Sequence, residues 1–250
     1  MLRVTDLVKY YHDTLAVDEA SFEVGDGEIV GLLGPNGAGK TTVLRCITGI
    51  VQMTEGEIEV DGINLLDNEE EAKRRLAFVP EVPTPYEMLT VEEHLRFVAM
   101  AYQTTDHFDQ RADDLLRRFE LSDKRQDLVL SLSKGMKQKL AVACAFMHDA
   151  RVLLFDEPIM GIDPRGAREL KDMITDAKRQ GKSILISTHM LDTAEKLCDR
   201  IIILQKGRII ATGDLAQLHE YAKVAGDASL EDVFLTLTRE SESVESTPLS

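Results

Sequence analysis

Gly34-Pro35-Asn36-Gly37-Ala38-Gly39-Lys40-Thr41-Thr42 follows directly on the apolar segment Glu28-Ile-Val-Gly-Leu-Leu33. Its form is G-x-x-x-x-G-K-[ST], a phosphate loop. Gly34, Gly37 and Gly39 let the backbone close around phosphate oxygens, so that successive N–H groups point into one concavity at the start of a helix. Lys40 is placed to reach β and γ phosphates, and Thr41 to offer its hydroxyl to Mg²⁺. Val43, Leu44 and Ile47 continue with helical spacing. The order strand, loop, helix predicts that the chain binds a nucleoside triphosphate. A simple glycine-rich turn is disfavoured by those two flanks.

Working outward, Val152-Leu-Leu-Phe155 is a continuous apolar run, as a parallel strand buried on both faces requires, and it ends in Asp156-Glu157. Ligands gather at the carboxyl ends of strands in open α/β sheets. There Asp156 can hold Mg²⁺ through its water shell, and Glu157 can polarise an attacking water. A third strand, Ile184-Leu-Ile-Ser-Thr188, delivers His189 to the same edge, to contact a γ-phosphate or to fix the water and Glu157.

The remaining pattern frames these pieces. Short β-like segments dominate the first 80 residues, and Pro80, Pro83 and Pro85 mark a stiff connection. Helical periodicity runs from Val91 to about His148, after which strands and helices alternate. Ile201 to Leu204 and Arg208 to Ala211 read as a closing hairpin through Gln205-Lys206-Gly207. The expected fold is therefore α/β, a phosphate-loop NTPase core with an N-terminal antiparallel β subdomain and an inserted α-helical subdomain at about 88–150. The expected ATPase domain spans 1–225, a C-terminal helix 226–239, and a disordered acidic tail 240–250.

Composition removes other classes. With 250 residues, 44% apolar content and a net charge of −15, the chain has an ample core and no basic run, so counterion release offers little and nucleic acid is not expected as a partner. No segment nears the roughly 18 continuous apolar residues of a spanning helix, and the N-terminus lacks the features of a signal peptide. Cys46, Cys144 and Cys198 sit on apolar helical patterns and read as buried free thiols in a reducing compartment.

Taken in order, Gly34 to Thr42, Leu132-Ser-Lys-Gly-Met136, Leu153-Leu-Phe-Asp-Glu-Pro158, Gly161-Ile-Asp163 and His189 resemble the ATP-binding subunit of an ABC (ATP-binding-cassette) transporter, over about residues 2 to 215. That resemblance implies ATP as substrate, Mg²⁺ as cofactor, and ATP hydrolysis driven by Lys40, Glu157 and His189. It implies a metal site at Thr41, Glu81 and Asp156. It makes Ser133, Lys134, Gly135 and Met136 the signature segment that closes over the ATP of a facing subunit. One chain carries one half of each site, so a head-to-tail homo- or heterodimer is implied. A separate membrane permease is the implied partner, and the cytoplasmic face of the membrane the implied location. Tyr11 matches the aromatic that stacks on adenine, with an exposed edge-strand tyrosine as the alternative. Asp163 matches the loop that reports across the dimer interface, with a plain helix cap as the alternative. Tyr86, Met88 and Leu89 read either as a docking surface for the permease or as the first core residues of the insert.

Three departures stand out. Glu81 replaces the family's usual glutamine and adds negative charge near the γ-phosphate, which predicts retained metal contact with altered turnover. Lys134 and Met136 replace the glycine and glutamine of the usual Leu-Ser-Gly-Gly-Gln signature. With the tail Ser229-Leu-Glu-Asp-Val-Phe234, they resemble the branch that serves export-type permeases. A soluble ABC ATPase of DNA repair or translation would want a coiled-coil insert, a second cassette or a basic surface. A regulatory module that binds ATP without turnover is opposed by Glu157 and His189 and left open by Glu81.

Overall fold

The computed structural model describes residues 1–224 and 228–245, with the side chains of 240–245 excepted. The chain opens with β1 (Leu2–Tyr11), β2 (Thr14–Val24), β3 (Ile29–Leu33), α1 (Lys40–Ile47), β4 (Glu55–Val60), β5 (Ile63–Asn64), α2 (Glu69–Arg74) and β6 (Leu76–Val79). Three helices follow: α3 (Val91–Ala101), α4 (Phe108–Arg118) and α5 (Lys134–His148). Then come β7 (Val152–Asp156), α6 (Pro164–Arg179), β8 (Ser183–Ser187), α7 (Leu191–Leu197), β9 (Arg200–Gln205), β10 (Arg208–Gly213), α8 (Leu215–Ala222) and α9 (Leu230–Glu245).

Two sheets result. The first is antiparallel in the order β2-β1-β4-β5; the second runs β10-β9-β3-β8-β7-β6 and is parallel except for the β9–β10 hairpin. The continuous apolar strands of the second sheet serve two cores at once. Leu153, Phe155, Ile184 and Ile186 face the helices α3 to α6, while Val152, Leu154, Leu185 and Leu32 face α1 and the antiparallel sheet. A strand with period-two geometry and apolar layers on both sides has no polar face, which is why these segments do not alternate in sequence.

Local signals start the helices where the chain needs them. Thr90 and Glu93 form a reciprocal capping box at α3, and Ser133 caps α5. Asp163 caps α6, with Pro164 at its first position.

One helix lies beyond the expectations, and one expectation needs correction. Helix α8 was not anticipated, although Asp214 and Gln217 form the capping box that starts it. The C-terminal helix begins at Leu230 because Ser229 and Asp232 exchange cap hydrogen bonds, and it continues to Glu245, into the stretch 240–250 expected to be disordered. Glutamate is a good helix former, and no proline intervenes before Pro248. Residues 225–227 and 246–250, which include the expected start of that helix and the end of the expected tail, lie outside the described residues. Among the described residues no helix is long and apolar enough to cross a membrane. The three cysteines are free; Cys46 is buried, whereas Cys144 and Cys198 are only partly so, each sitting at the margin of a core.

Candidate functional site

Strand β3 lies between β8 and β9, and the chain leaves its carboxyl end through the glycine-rich loop into α1. Gly39 sits at φ 107°, and a side-chain carbon built there would fall 2.6 Å from the Ala16 carbonyl oxygen, so only glycine fits. Lys40 begins α1 and is buried, its ammonium donating to the carbonyls of Gly34 at 2.7 Å and Pro35 at 3.2 Å. Desolvation lowers its pKa, against the opposing charges of Glu157, Asp156 and Glu81. Over this loop opens a cavity of about 660 Å³, lined by Asn36 to Thr42, Glu81, Asp156, Glu157 and His189. The fragments read from three separate strand ends therefore meet at one rim.

Hydrogen bonds fix the carboxylates on that rim. Thr41 Oγ1 donates to Asp156 Oδ2 at 2.9 Å, and Ser187 Oγ donates to Asp156 Oδ1 at 2.7 Å. Glu157 is held on both oxygens, by His189 Nδ1 at 2.8 Å and Thr188 Oγ1 at 3.1 Å. Its backbone lies in the left-handed region at φ 47°, uncommon for a residue with a side chain, and its N–H donates to the Ser187 carbonyl at 2.9 Å. Adjacent hard oxygens on Thr41 and Asp156 suit Mg²⁺, which is commonly held by one or two protein oxygens together with substrate phosphates. Among the described residues no cluster of three or more His, Cys, Asp or Glu forms a metal cage, in keeping with that sparse donor set.

Other residues singled out in the sequence fall in different places. Tyr11 does not line the cavity; it is exposed at the end of β1 with the Lys9 ammonium 5.0 Å from its ring centre, and the hairpin instead contributes Thr14, Leu15 and Ala16. Ser133 to Met136 lie apart from the cavity lining, at the start of α5, where Ser133 Oγ accepts from Met136 N–H at 3.3 Å. Asp163 caps α6 through Gly166 N–H at 2.9 Å and pairs with buried Lys139, whose charge holds its carboxyl down at about 2. Tyr86 and Met88 are 59% and 77% exposed, so they are not core residues of the insert, whereas Leu89 is half-buried.

Sequence reading missed several members of this region. Ser187 and Thr188 orient the two carboxylates, yet within an apolar strand their hydroxyls gave no local sign of a partner 31 residues away. The turn Lys206-Gly207 lines the cavity because Gly207 N–H donates to Ala38 and its carbonyl accepts from Asp18, long-range bonds that no turn motif announces.

Comparison with known proteins agrees with this geometry. Residues 17–160 match the family described as ABC transporter. The chain is 38% identical over 241 residues to the ABC-type transporter ATP-binding protein EcsA of Bacillus subtilis (strain 168), covering 96% of this chain and 97% of the relative. It is 34% identical over 239 residues to the lipopolysaccharide export system ATP-binding protein LptB of Haemophilus influenzae (strain ATCC 51907 / DSM 11121 / KW20 / Rd), covering 94% and 97% respectively. A solved structure described as an ATP binding subunit of an ABC transporter superposes with a TM-score of 0.92 at 38% identity, over 95% of this chain and 99% of that one.

Proposed function

We propose, since the chain belongs to the ABC transporter family and is an ATP-binding, ATP-hydrolysing subunit, that it powers export of a substrate through a separate membrane permease by ATP-driven closure of a dimer. The observation that carries the catalytic part is the paired constraint on one rim: Thr41 bonded to Asp156 at 2.9 Å beside Glu157 bonded to His189 at 2.8 Å. Export is supported by the departures at Glu81, Lys134 and Met136 and by the likeness to a lipopolysaccharide export subunit.

In this reading the backbone N–H groups of Gly37 to Thr42 grip the phosphates of ATP, and Lys40 exchanges the carbonyls of Gly34 and Pro35 for β and γ oxygens. Thr41, Asp156 and Glu81 hold Mg²⁺, which when bound neutralises charge on the phosphates. Glu157 accepts hydrogen bonding from water in line with the γ-phosphate, while His189 and Thr188 keep its carboxylate from swinging away. Tyr11 stacks on adenine after the hairpin end closes on the nucleotide, and Asp163 faces the partner across the interface. Ser133 to Met136 present the N-terminus of α5 and the Lys134 charge to the partner's γ-phosphate. Tyr86, with its ring against Phe97 at 5.0 Å, together with Val82 and Met88, offers the permease an exposed apolar surface on the cytoplasmic side.

Steady-state ATPase activity of the wild type against Glu157→Gln tests the chemistry, with a loss of kcat of about 10²- to 10³-fold expected. Recovery of the chain from membranes bound to a multi-span protein tests the transport role; a chain found only free, or bound to nucleic acid, sinks it.

A further inference from the structure

Gly135 and Lys139 stand four residues apart on α5, hence on one face of that helix, and both meet the loop between Glu157 and α6. A side-chain carbon built on Gly135 would fall 2.5 Å from the Gly161 carbonyl oxygen, so the two backbones touch. One turn along, Lys139 is only 6% exposed and its Nζ lies 2.5 Å from Asp163 Oδ2. The other carboxylate oxygen accepts from Gly166 N–H at 2.9 Å. Glu120, just past the end of α4, stands 4.0 Å from the same ammonium and also pairs with Arg165.

Between these two anchors and Glu157 the chain has little slack. Met160 N–H donates to the Glu157 carbonyl at 3.1 Å and Ile162 N–H to the Ile159 carbonyl at 3.2 Å, closing two successive tight turns. Met160 itself lines the phosphate cavity. Burying an ammonium is costly unless it is paired, and Lys139 touches no part of the cavity that would need its charge.

We propose that Lys139 is a positioning residue: with the Gly135–Gly161 contact it fastens the signature helix to the Glu157 loop of the same chain, so that a shift of that helix moves Glu157. The inference rests on the reading above, in which Glu157 polarises water and the start of α5 meets the partner's ATP. It adds a route within one chain, by which arrival of the partner's nucleotide at α5 is felt at the chain's own catalytic carboxylate.

Three substitutions test it. Lys139→Met removes the charge at similar length, Lys139→Arg restores it, and Asp163→Asn breaks the ion pair while keeping a cap of equal quality. Lys139→Met and Asp163→Asn should each lower kcat about tenfold or more with KM for ATP changed by less than about twofold, and Lys139→Arg should recover most of the rate. Amide exchange measured without nucleotide should rise at Met160 and Ile162 in Lys139→Met. Folded variants with wild-type kcat, a proportional change in KM and kcat, or a lower Tm with unaltered kcat overturn the proposal. If Lys139→Met does not fold, Asp163→Asn decides both readouts. A wild type without ATPase activity sinks the functional reading instead, and the exchange measurement still judges the coupling.

Discussion

At the scale of single residues, the unusual member of the rim is Glu81. It shares the cavity with Lys40, and its charge acts on that ammonium together with those of Asp156 and Glu157. Three carboxylates around one lysine leave net negative charge where ATP brings more. Glu81→Gln should therefore lower KM for Mg-ATP by about two- to fivefold and change turnover and its Mg²⁺ dependence, with the effect shrinking as salt is raised because Glu81 is exposed. Steady-state kinetics at two ionic strengths check this; identical rate, KM and Mg²⁺ dependence would remove any role for the charge. Residues of this kind were legible beforehand when their chemistry is local. Gly34 to Thr42 carry their function in nine consecutive positions, whereas Ser187 and Lys139 acquire theirs from Asp156 and Asp163, 31 and 24 residues away in the chain, and nothing near them in sequence marks the meeting.

At the scale of elements, boundaries followed capping chemistry, and the one helix overlooked, α8, had its capping box in plain view at Asp214 and Gln217. Its apolar positions were too few and its length too short, eight residues, for periodicity alone to separate it from a loop. A junction between elements supplies a pH prediction. His148 ends α5, stacks on Tyr102 with ring centres 3.5 Å apart, and uses Nε2 on the Arg74 carbonyl at 2.9 Å. Burial is the main cause that pushes its pKa down to about 4; nearby Lys182 adds to this, while Asp149 and the Arg74 hydrogen bond oppose it. The unfolded chain then takes up a proton near pH 6.5 that the folded chain refuses until about 4, so this contribution to stability is whole above pH 6.5 and is lost as pH falls towards 4. His94, also lowered by burial, acts in the same direction. Asp163 and Glu92, both held at about 2, add losses only in a more acidic window. The expected outcome is a Tm that declines between pH 6.5 and 4 in the wild type and declines less steeply in His148→Gln, whose amide can still donate to Arg74. Parallel curves for the two proteins would show that the histidine is not the source.

At the scale of the whole molecule, the arrangement of parts argues for association. The phosphate cavity draws on β3, β7 and β8 and their following turns, while the capped N-terminus of α5, with Lys134 exposed beside it, lies outside that cavity's lining. In the reading proposed above, that N-terminus and its cation would meet an anion, and within one chain the two halves do not share a cavity lining. In the dimer proposed above, a twofold pairing would let the α5 terminus of each copy meet the phosphates held by the other, which would close the assembly without leaving a free half. Mutual repulsion between two chains of net charge −15 would oppose that pairing, and in the proposed dimer ATP would supply the bridging contacts. Glu157→Gln, expected to bind ATP while turning it over far more slowly, should therefore be monomeric alone and dimeric with ATP by light scattering. Adding Lys134→Glu to that variant places a carboxylate where the partner's γ-phosphate would sit, and should abolish the dimer while leaving ATP bound to the monomer. A Glu157→Gln chain that stays monomeric at saturating ATP, or a dimer indifferent to the charge at position 134, would mean that the start of α5 does not read a neighbour's nucleotide.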